Sequence, residues 1–358
     1  MADTIKCPSC GGNLLFDADT QKLSCEYCGS SFLPSELDEM FIDNQLTHES
    51  TESEVTTDSQ ETTDDMQQFV CNSCGAVLLS DKNTSATFCT FCGSPALEVQ
   101  RLSKEFRPRY IIPFAYGREK AIEKFYAWCK KGRMTPFGFL SDKNIEKLTG
   151  LYVPFWLFNS TANMDRITSA KIVNVTTSGE YQTTTTRYYE LIRKGTFTWN
   201  NIPLDGETRV DDKLMEAIEP FNFKDMIDYD YKYIPGFYAD AYDLDSKALE
   251  PRAEKRVKDY LESEYTNSVK SYTGKKITHN NNSITSLEAQ YALLPVWFMN
   301  YKYLGKTYSF AMNGQTGEVA GTPPVSLVKR IIIFFLFLSL FTLVIKIIIG
   351  LFLGGYVG

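Results

Sequence analysis

The sequence CPSCGGNLLFDADTQKLSCEYCG occupies residues 7–29, and CNSCGAVLLSDKNTSATFCTFCG occupies residues 71–93. Each segment contains two C-x-x-C-G motifs, and residues 7–33 and 71–97 are identical at 13 of 27 aligned positions. Two cysteines on a tight turn can direct both sulfurs to one ion, and the glycine that follows permits the positive φ that closes the turn. The pattern therefore predicts an internal repeat in which each copy folds around one metal ion.

Four thiolates at this spacing are typical of a tetrahedral zinc site. Eight of the nine cysteines belong to the four pairs, and the 14 residues between the pairs of each copy are enough for a hairpin. Because thiolates fill all four positions, both sites should be structural and not catalytic. The predicted zinc ligands are Cys7, Cys10, Cys25 and Cys28 in the first copy, and Cys71, Cys74, Cys89 and Cys92 in the second.

Two other uses of the cysteine motifs are weaker. A redox role would need one C-x-x-C pair at the start of a helix in a βαβ unit, whereas four pairs occur here, each followed by glycine. A nucleic-acid role would need a basic face. Residues 1–34 carry two basic against four acidic residues, and residues 69–100 carry one lysine against two acidic residues. The ninth cysteine, Cys129, is expected to be buried in a helix.

Charge and hydropathy divide the chain into five regions. Residues 35–68 contain eleven acidic residues and no Lys or Arg, although the whole chain carries a net charge of only −7. Such a stretch cannot bury enough apolar surface to fold, so a disordered linker is predicted. The expected fold is α+β and multidomain, and its regions are zinc ribbon 1 (1–34), the acidic linker (35–68), zinc ribbon 2 (69–100), an α+β body with antiparallel strands (101–325) and a transmembrane helix (327–354).

Within the body, apolar spacing predicts helices near Arg118–Lys131 and over residues 247–265. Ser141 is expected to cap a short helix that ends before Gly150, and Asp212 is expected to open a helix. Residues 170–176 and 181–192 are rich in Thr, Tyr and β-branched residues and should pair as a hairpin. A second hairpin is expected on either side of Gly305. Aromatic or aliphatic residues precede proline in YIIPF (110–114), YVPFW (152–156), YIPGF (233–237) and LPVW (294–297). These runs predict strand starts or edges, and they arise either from a distant duplication or from convergence.

The C-terminal region is apolar enough to span a bilayer. Residues 331–345 contain no charge, and the apolar run continues beyond Lys346. Lys346 either extends its amine toward the interface or faces a partner helix. Lys329 and Arg330 precede the apolar run, so the positive-inside rule predicts a single-pass protein of the cell membrane with residues 1–328 in the cytoplasm. That orientation agrees with the reducing compartment that reduced thiol pairs require.

The body lacks the common catalytic motifs for nucleophilic elbows, phosphate-binding loops and zinc proteases. We therefore expect a non-enzymatic, tail-anchored scaffold. The main alternative is a membrane-tethered zinc-ribbon regulator that binds nucleic acid, and an unrecognised enzyme comes third.

The second ribbon is followed in order by IIPF (111–114), GLYVPFW (150–156), PGFYA (235–239), LLPVW (293–297) and NGQTG (313–317). This ordered set resembles the bacterial TFIIB-type zinc-ribbon membrane proteins, one of which is encoded in Bacillus beside phage-shock protein A and an SPFH (flotillin-like) protein. The resemblance covers most of residues 1–325 and extends to the eight cysteine ligands. It implies a membrane adaptor that recruits an SPFH partner, together with a second small membrane protein, in the envelope-stress response.

Overall fold

The computed structural model describes residues 5–37, 66–81, 89–91, 97–101, 108–131, 135–136, 145 and 147–354. Residues 38–65, most of the predicted linker, lie outside the described residues, as does Cys92. The fold is α+β, with one sheet of three strands and one of twelve. The strands are β1 Leu14–Asp17, β2 Lys22–Cys25, β3 Ser31–Phe32, β4 Met66–Cys71, β5 Val77–Asp81, β6 Leu97–Arg101, β7 Tyr110–Ile111, β8 Thr149–Ser178, β9 Tyr181–Asp205, β10 Ile227–Asp228, β11 Tyr238–Asp240, β12 Thr273–Asn280, β13 Ser283–Tyr303, β14 Lys306–Asn313 and β15 Val319–Gly321. The helices are α1 Arg118–Lys131, α2 Asp212–Ala217, α3 Ser246–Ser268 and α4 Leu327–Gly354.

The small sheet belongs to the first Cys module, which we define as residues 5–37. Its strands lie in the order β1-β2-β3 and are antiparallel. A helical turn at residues 34–37 closes the module, and Leu37 is fully buried there. The ordered chain therefore continues into the first residues of the stretch assigned to the linker.

The large sheet is built around two long neighbouring strands, β8 and β13, which pair antiparallel from Thr149↔Phe298 to Asn163↔Ser283. The predicted hairpin over residues 170–192 is confirmed, but it is much longer than the sequence indicated. β8 pairs with β9 from Phe155↔Asp205 to Ser178↔Tyr181. The hairpin around Gly305 is also confirmed, as β13 and β14 pair from Val296↔Asn313 to Tyr303↔Lys306.

The prediction that the prolines mark strand starts or edges is wrong for Pro154 and Pro295, which lie inside β8 and β13. Each proline lies where its strand changes partner on one side. β8 pairs with β11 as far as Tyr152 and with β9 from Phe155 onward. β13 pairs with β7 as far as Leu293 and with β14 from Val296 onward. A missing N–H costs little at such a junction, because the ladder is interrupted there anyway.

The two junctions have the same architecture. In each, a short strand (β11 or β7) pairs in parallel with the long strand just before its proline, and an antiparallel hairpin strand (β9 or β14) continues along the same side. The two proline runs therefore occupy equivalent positions in their long strands.

Three of the predicted helices of the body are confirmed, whereas most of the short helix expected after Ser141 lies outside the described residues. α1 has the predicted bounds, α2 begins at Asp212, and α3 extends the predicted helix slightly at both ends. The side chains of Asp211 and Asp245 cap α2 and α3 by accepting backbone N–H groups. The buried residues of α3 recur every four positions and pack on β8 and β9, as an amphipathic helix requires. They are Leu249, Ala253, Val257, Leu261 and Tyr265.

The C-terminal helix α4 is long and apolar enough to cross a membrane. It has 28 residues, which span about 42 Å at 1.5 Å each, more than the hydrocarbon core of about 30 Å. Within Leu327–Ile349 the most apolar 18-residue window has a mean hydropathy of 2.9, and none of that window is buried against the rest of the described chain. The side chain of Ser326 caps the helix by accepting the N–H of Lys329. The structure thus supports a single-pass membrane protein.

Candidate metal centres

Two matching turns build the first cysteine cluster. The N–H of Gly11 donates to the carbonyl of Cys7 at 2.8 Å, and the N–H of Gly29 donates to the carbonyl of Cys25 at 2.9 Å. Gly11 and Gly29 have φ values of +73° and +75°, which glycine adopts without the steric cost of a Cβ atom. β1 and β2 then place the second turn against the first, because Leu14 pairs with Cys25.

The four sulfurs of the first cluster are positioned to bind a metal ion. The Sγ atoms of Cys7 and Cys28 are 3.6 Å apart, those of Cys10 and Cys25 are 3.5 Å apart, and all four lie within 4.8 Å of one another. In a tetrahedron with Zn–S bonds of about 2.3 Å, the sulfurs are separated by about 3.8 Å. Cys7 and Cys25 are buried, whereas Cys10 and Cys28 are exposed.

The two exposed thiols of the first cluster are shifted in opposite directions. Hydrogen bonding with the side chain and backbone of Ser30 lowers the pKa of Cys28 to about 6. The Gly12 N–H is the strongest influence on Cys10 and lowers its pKa, but hydrogen bonds with Cys28 and Cys25 outweigh it and raise that pKa to about 12. Four adjacent thiols cannot all ionise in isolation, because like charges repel. A bound metal ion would remove that repulsion and hold all four as thiolates.

The second cluster repeats this geometry in the part of the chain that the structure describes. Cys71, Cys74 and Cys89 offer three sulfurs within 4.8 Å of one another, and those of Cys74 and Cys89 are 3.7 Å apart. The N–H of Gly75 donates to the carbonyl of Cys71 at 2.8 Å, as in the first cluster. The predicted fourth ligand, Cys92, lies outside the described residues. Two Cys clusters are therefore positioned to bind metal.

The first Cys module docks on the body through its hairpin. The N–H of Phe16 donates to the carbonyl of Pro235 at 3.0 Å, and its ring meets the ring of Tyr233 edge-on at 4.9 Å. The Phe16 side chain is only 4% exposed. The module thus contributes to the same hydrophobic core as Phe114 and Phe237 of the body.

Polar contacts surround this apolar junction. The carboxylate of Asp19 accepts the N–H of Gly117 at 3.1 Å and lies 2.7 Å from the amine of Lys120. The hydrogen bond and charge of Lys120 lower the pKa of Asp19. The Gln21 amide donates to the carbonyl of Phe114 at 2.6 Å. These contacts fix the orientation of the module.

The second Cys module, residues 66–101 as far as they are described, joins the body through the sheet itself. β5 pairs antiparallel with β11, with Ala239 opposite Leu79. Phe91, which lies between Cys89 and Cys92 in sequence, packs against Phe298 with a ring separation of 5.9 Å. The amide of Asn300 donates to the carbonyl of Phe91 at 2.5 Å.

The segment 233–240 therefore lies between the two modules. The ring of Tyr233 and the carbonyl of Pro235 contact the first module, and β11 pairs with the second. A change in either module would act on the same short segment of the body.

A buried ionic cluster lies beside the second module. Glu207 and Asp240 are fully buried, and Arg209 forms ion pairs with both. Burial raises the pKa of Asp240 well above its usual range, and the charge of Glu207 adds to the shift. The guanidinium carbon of Arg209 lies 5.3 Å from the centre of the Phe91 ring. This cluster links the module to the body and was not found from the sequence.

Cys129 is 2% exposed in α1, and burial raises the pKa of its thiol to about 12. The interpretation of Cys129 as a helix-buried thiol is confirmed.

The residues that dock the first module leave one signal in the sequence. Phe16, Asp19 and Gln21 align with Ser80, Asn83 and Ser85 in the second copy of the repeat, whereas the cysteines are kept. The residues that contact the body thus differ between the two copies, which indicates that each copy packs on a different surface of the body.

The chain is 32% identical over 326 residues to "Uncharacterized protein YdjG" of Bacillus subtilis (strain 168), and the match covers 91% of each chain. No protein-family model matches the chain, and no solved structure matches it at a significant level.

Proposed function

The chain belongs to the same family as YdjG of Bacillus subtilis, and we propose its function from its own architecture. We propose a non-enzymatic, tail-anchored membrane adaptor in which two structural zinc ions stabilise the cytoplasmic docking surface. The observation that carries this proposal is helix α4. Its apolar run is interrupted only by Lys346, and its most apolar window is not buried against the described part of the chain, so that apolar surface is available for lipid.

The choice of zinc rests on the chemistry of the ligands. Tetrahedral thiolate sites in reducing compartments hold zinc or iron, and zinc is the usual ion where four thiolates serve a structural role. Each ion would replace the extended hydrophobic core that a module of this size lacks. With thiolates in all four positions, such an ion would have no site for a substrate.

The membrane orientation and the partners are proposed on separate grounds. Lys329 and Arg330 precede the apolar run, which supports a cytoplasmic location for residues 1–328. The resemblance to the TFIIB-type zinc-ribbon membrane proteins supports an SPFH (flotillin-like) protein and a second small membrane protein as partners in the envelope-stress response.

The docking surface that we propose is the region where the second Cys module meets the body. Phe91 ties the second cluster to Phe298, Asn300 and Arg209. Loss of the metal would release this residue, because Phe91 lies on the turn that Cys89 begins. Zinc would therefore control the shape of the surface without taking part in chemistry.

The experiment is affinity purification of the full-length chain from native membranes in mild detergent, with the partners identified by mass spectrometry. The Cys89→Ser variant should lose zinc from the second cluster and lose the SPFH or phage-shock partners, while it remains in the membrane fraction. The Cys129→Ala variant is the matched control, because it removes a cysteine outside both clusters.

Unchanged partner recovery after loss of the metal would contradict the role of the second cluster. Recovery of nucleic acid or polymerase subunits in place of the SPFH partner would contradict the adaptor and support the tethered regulator.

A further inference from the structure

Strand β9 has a long open edge. Among the described residues, it pairs only with β8, from Phe155↔Asp205 to Ser178↔Tyr181. Its second edge therefore presents backbone N–H and C=O groups without a ladder partner. The Arg193 guanidinium donates to the Ile192 carbonyl at 3.1 Å, a contact that an added strand would replace. Such an edge is a template for another β-strand.

The two faces of β9 differ. One face is covered by α3, and Leu191 is buried there in the same cluster as Val257 and Leu261. The other face carries Glu190, Ile192 and Lys194, which are exposed. Ile192 is 53% exposed, although it is a large apolar residue in the middle of a well-paired strand. An additional strand beside β9 would cover it without disturbing α3.

The charges on the open face are arranged symmetrically about Ile192. When two copies of one strand pair antiparallel about residue 192, residue 190 of each lies opposite residue 194 of the other, on the same face of the sheet. Glu190 would then lie opposite Lys194 of the second copy, and this pair occurs twice. Opposite charges in directly paired positions stabilise a sheet.

The neighbouring positions match as well. The same register sets Tyr188 opposite Thr196 and Thr186 opposite Thr198, and aromatic–β-branched and Thr–Thr pairs are favourable across strands. Lys194 already lies 3.1 Å from Asp165 of its own chain, but its side chain is 61% exposed and can contact a second carboxylate.

We propose that β9 is a self-association edge, and that two copies of this chain join their large sheets by antiparallel β9–β9 pairing centred on Ile192. The occupant of the open edge is a second copy and not an unrelated strand, because the Glu190 and Lys194 pattern complements itself about one residue. This proposal does not depend on the metal or on the partners proposed above.

The joined sheet leaves room for both copies of α3. The helix packs over β8 and β9, so the two helices would be separated by two to three strand spacings, about 10–14 Å. Packed helices need 8–10 Å between their axes. The two copies of α3 would lie on the same face of the sheet without overlap.

The first test is disulfide trapping in the full-length chain, purified in mild detergent. Paired residues in antiparallel strands have Cα atoms about 4.5–5.5 Å apart, within the range that a disulfide bridges. Ile192→Cys should form a covalent dimer on mild oxidation. Val175→Cys lies exposed on the same face but far from the centre of pairing, so it should remain monomeric, as should the wild-type chain.

The second test is charge reversal, measured by the monomer–dimer equilibrium in detergent. Glu190→Lys and Lys194→Glu each convert both ion pairs into repulsive pairs, so each should raise the dissociation constant by roughly tenfold. The double variant Glu190→Lys with Lys194→Glu restores opposite charges and should restore dimerisation. That rescue separates pairing across the interface from damage to the fold.

Equal trapping at positions 192 and 175, or a wild-type chain that stays monomeric at all concentrations, would overturn the proposal. So would charge reversals that do not affect the dimer.

Discussion

The backbone N–H of Phe16 donates a 3.0 Å hydrogen bond to the carbonyl of Pro235, so the first Cys module and the body share one core. Pro235 precedes β11, the strand that pairs with the second module. The first module therefore acts as a structural part of the body, although the sequence suggested a separate unit on a flexible linker.

Replacement of Phe16 tests this docking. Phe16→Ala removes a side chain that is 4% exposed and packs on Tyr233, which should cost about 3–5 kcal/mol of the free energy that holds the module on the body. We expect faster amide hydrogen exchange in β1 and β2, measured by mass spectrometry on the full chain.

Tyr27→Ala is the matched control, because Tyr27 belongs to the same module and is 91% exposed. It should leave exchange unchanged. Equal protection of β1 and β2 in Phe16→Ala and in the wild type would show that the module does not depend on this contact.

Gly150 should be intolerant of a side chain. A Cβ atom there would lie 2.5 Å from Cδ1 of Phe237, whose ring stacks on Phe114 at 4.1 Å. Gly150→Ala would displace Phe237 and should reduce the free energy of unfolding by about 1–3 kcal/mol, as overpacking does.

Gly195→Ala is the control, because its Cβ atom would meet only Cε2 of Phe197, at 3.7 Å. Chemical unfolding should show little loss for this variant, or a small gain from reduced unfolded-state entropy. Similar midpoints for the two alanine variants would contradict the packing described around Phe237.

Local patterns in the sequence were sufficient for several elements. α1 and α3 follow from apolar residues at helical spacing, and the hairpins from β-branched runs on either side of Gly179 and Gly305. α4 follows from an uninterrupted apolar run. The two cysteine clusters follow from the spacing of their ligands.

The sequence did not reveal the contacts between distant segments. The Phe16–Pro235 bond, the β5–β11 pairing and the Glu207–Asp240–Arg209 cluster join residues that no local period connects. Pro154 and Pro295 were misassigned for the same reason, because each is tolerated inside its strand at a point where the neighbouring strand changes. That change depends on the whole sheet.

Asp205 should make stability depend on pH. Burial raises its pKa from the usual 3.8 to about 6, although Arg252 lies 3.0 Å away and acts in the opposite direction. The stability contributed by the protonated form is fully present below about pH 4 and is lost as the pH rises through about 6.

The Asp205→Asn variant cannot ionise at this position, so it does not lose this stability as the pH rises. The free energy of unfolding of the variant minus that of the wild type should therefore increase by up to about 3 kcal/mol between pH 4 and pH 7. Unfolding curves of both chains across this range measure the difference, and metal release at low pH affects both alike. A difference that does not change with pH would contradict the raised pKa.

The membrane role of α4 predicts sensitivity to charge at its centre. Leu336→Arg and Leu340→Arg should each cost about 2.5–3.5 kcal/mol of insertion free energy, so the double variant should shift from the carbonate-resistant membrane fraction to the soluble fraction. Lys346→Leu is the control and should remain in the membrane. A double variant that stays fully inserted would argue against α4 as the anchor.

The central claim, that each Cys cluster holds a structural zinc ion, is tested most directly by elemental analysis of the purified full-length chain. Plasma mass spectrometry should find two zinc ions per chain in the wild type, and one in each of the single variants Cys7→Ser and Cys89→Ser. Iron in place of zinc, or a wild-type chain without bound metal and with freely titrating thiols, would contradict the account.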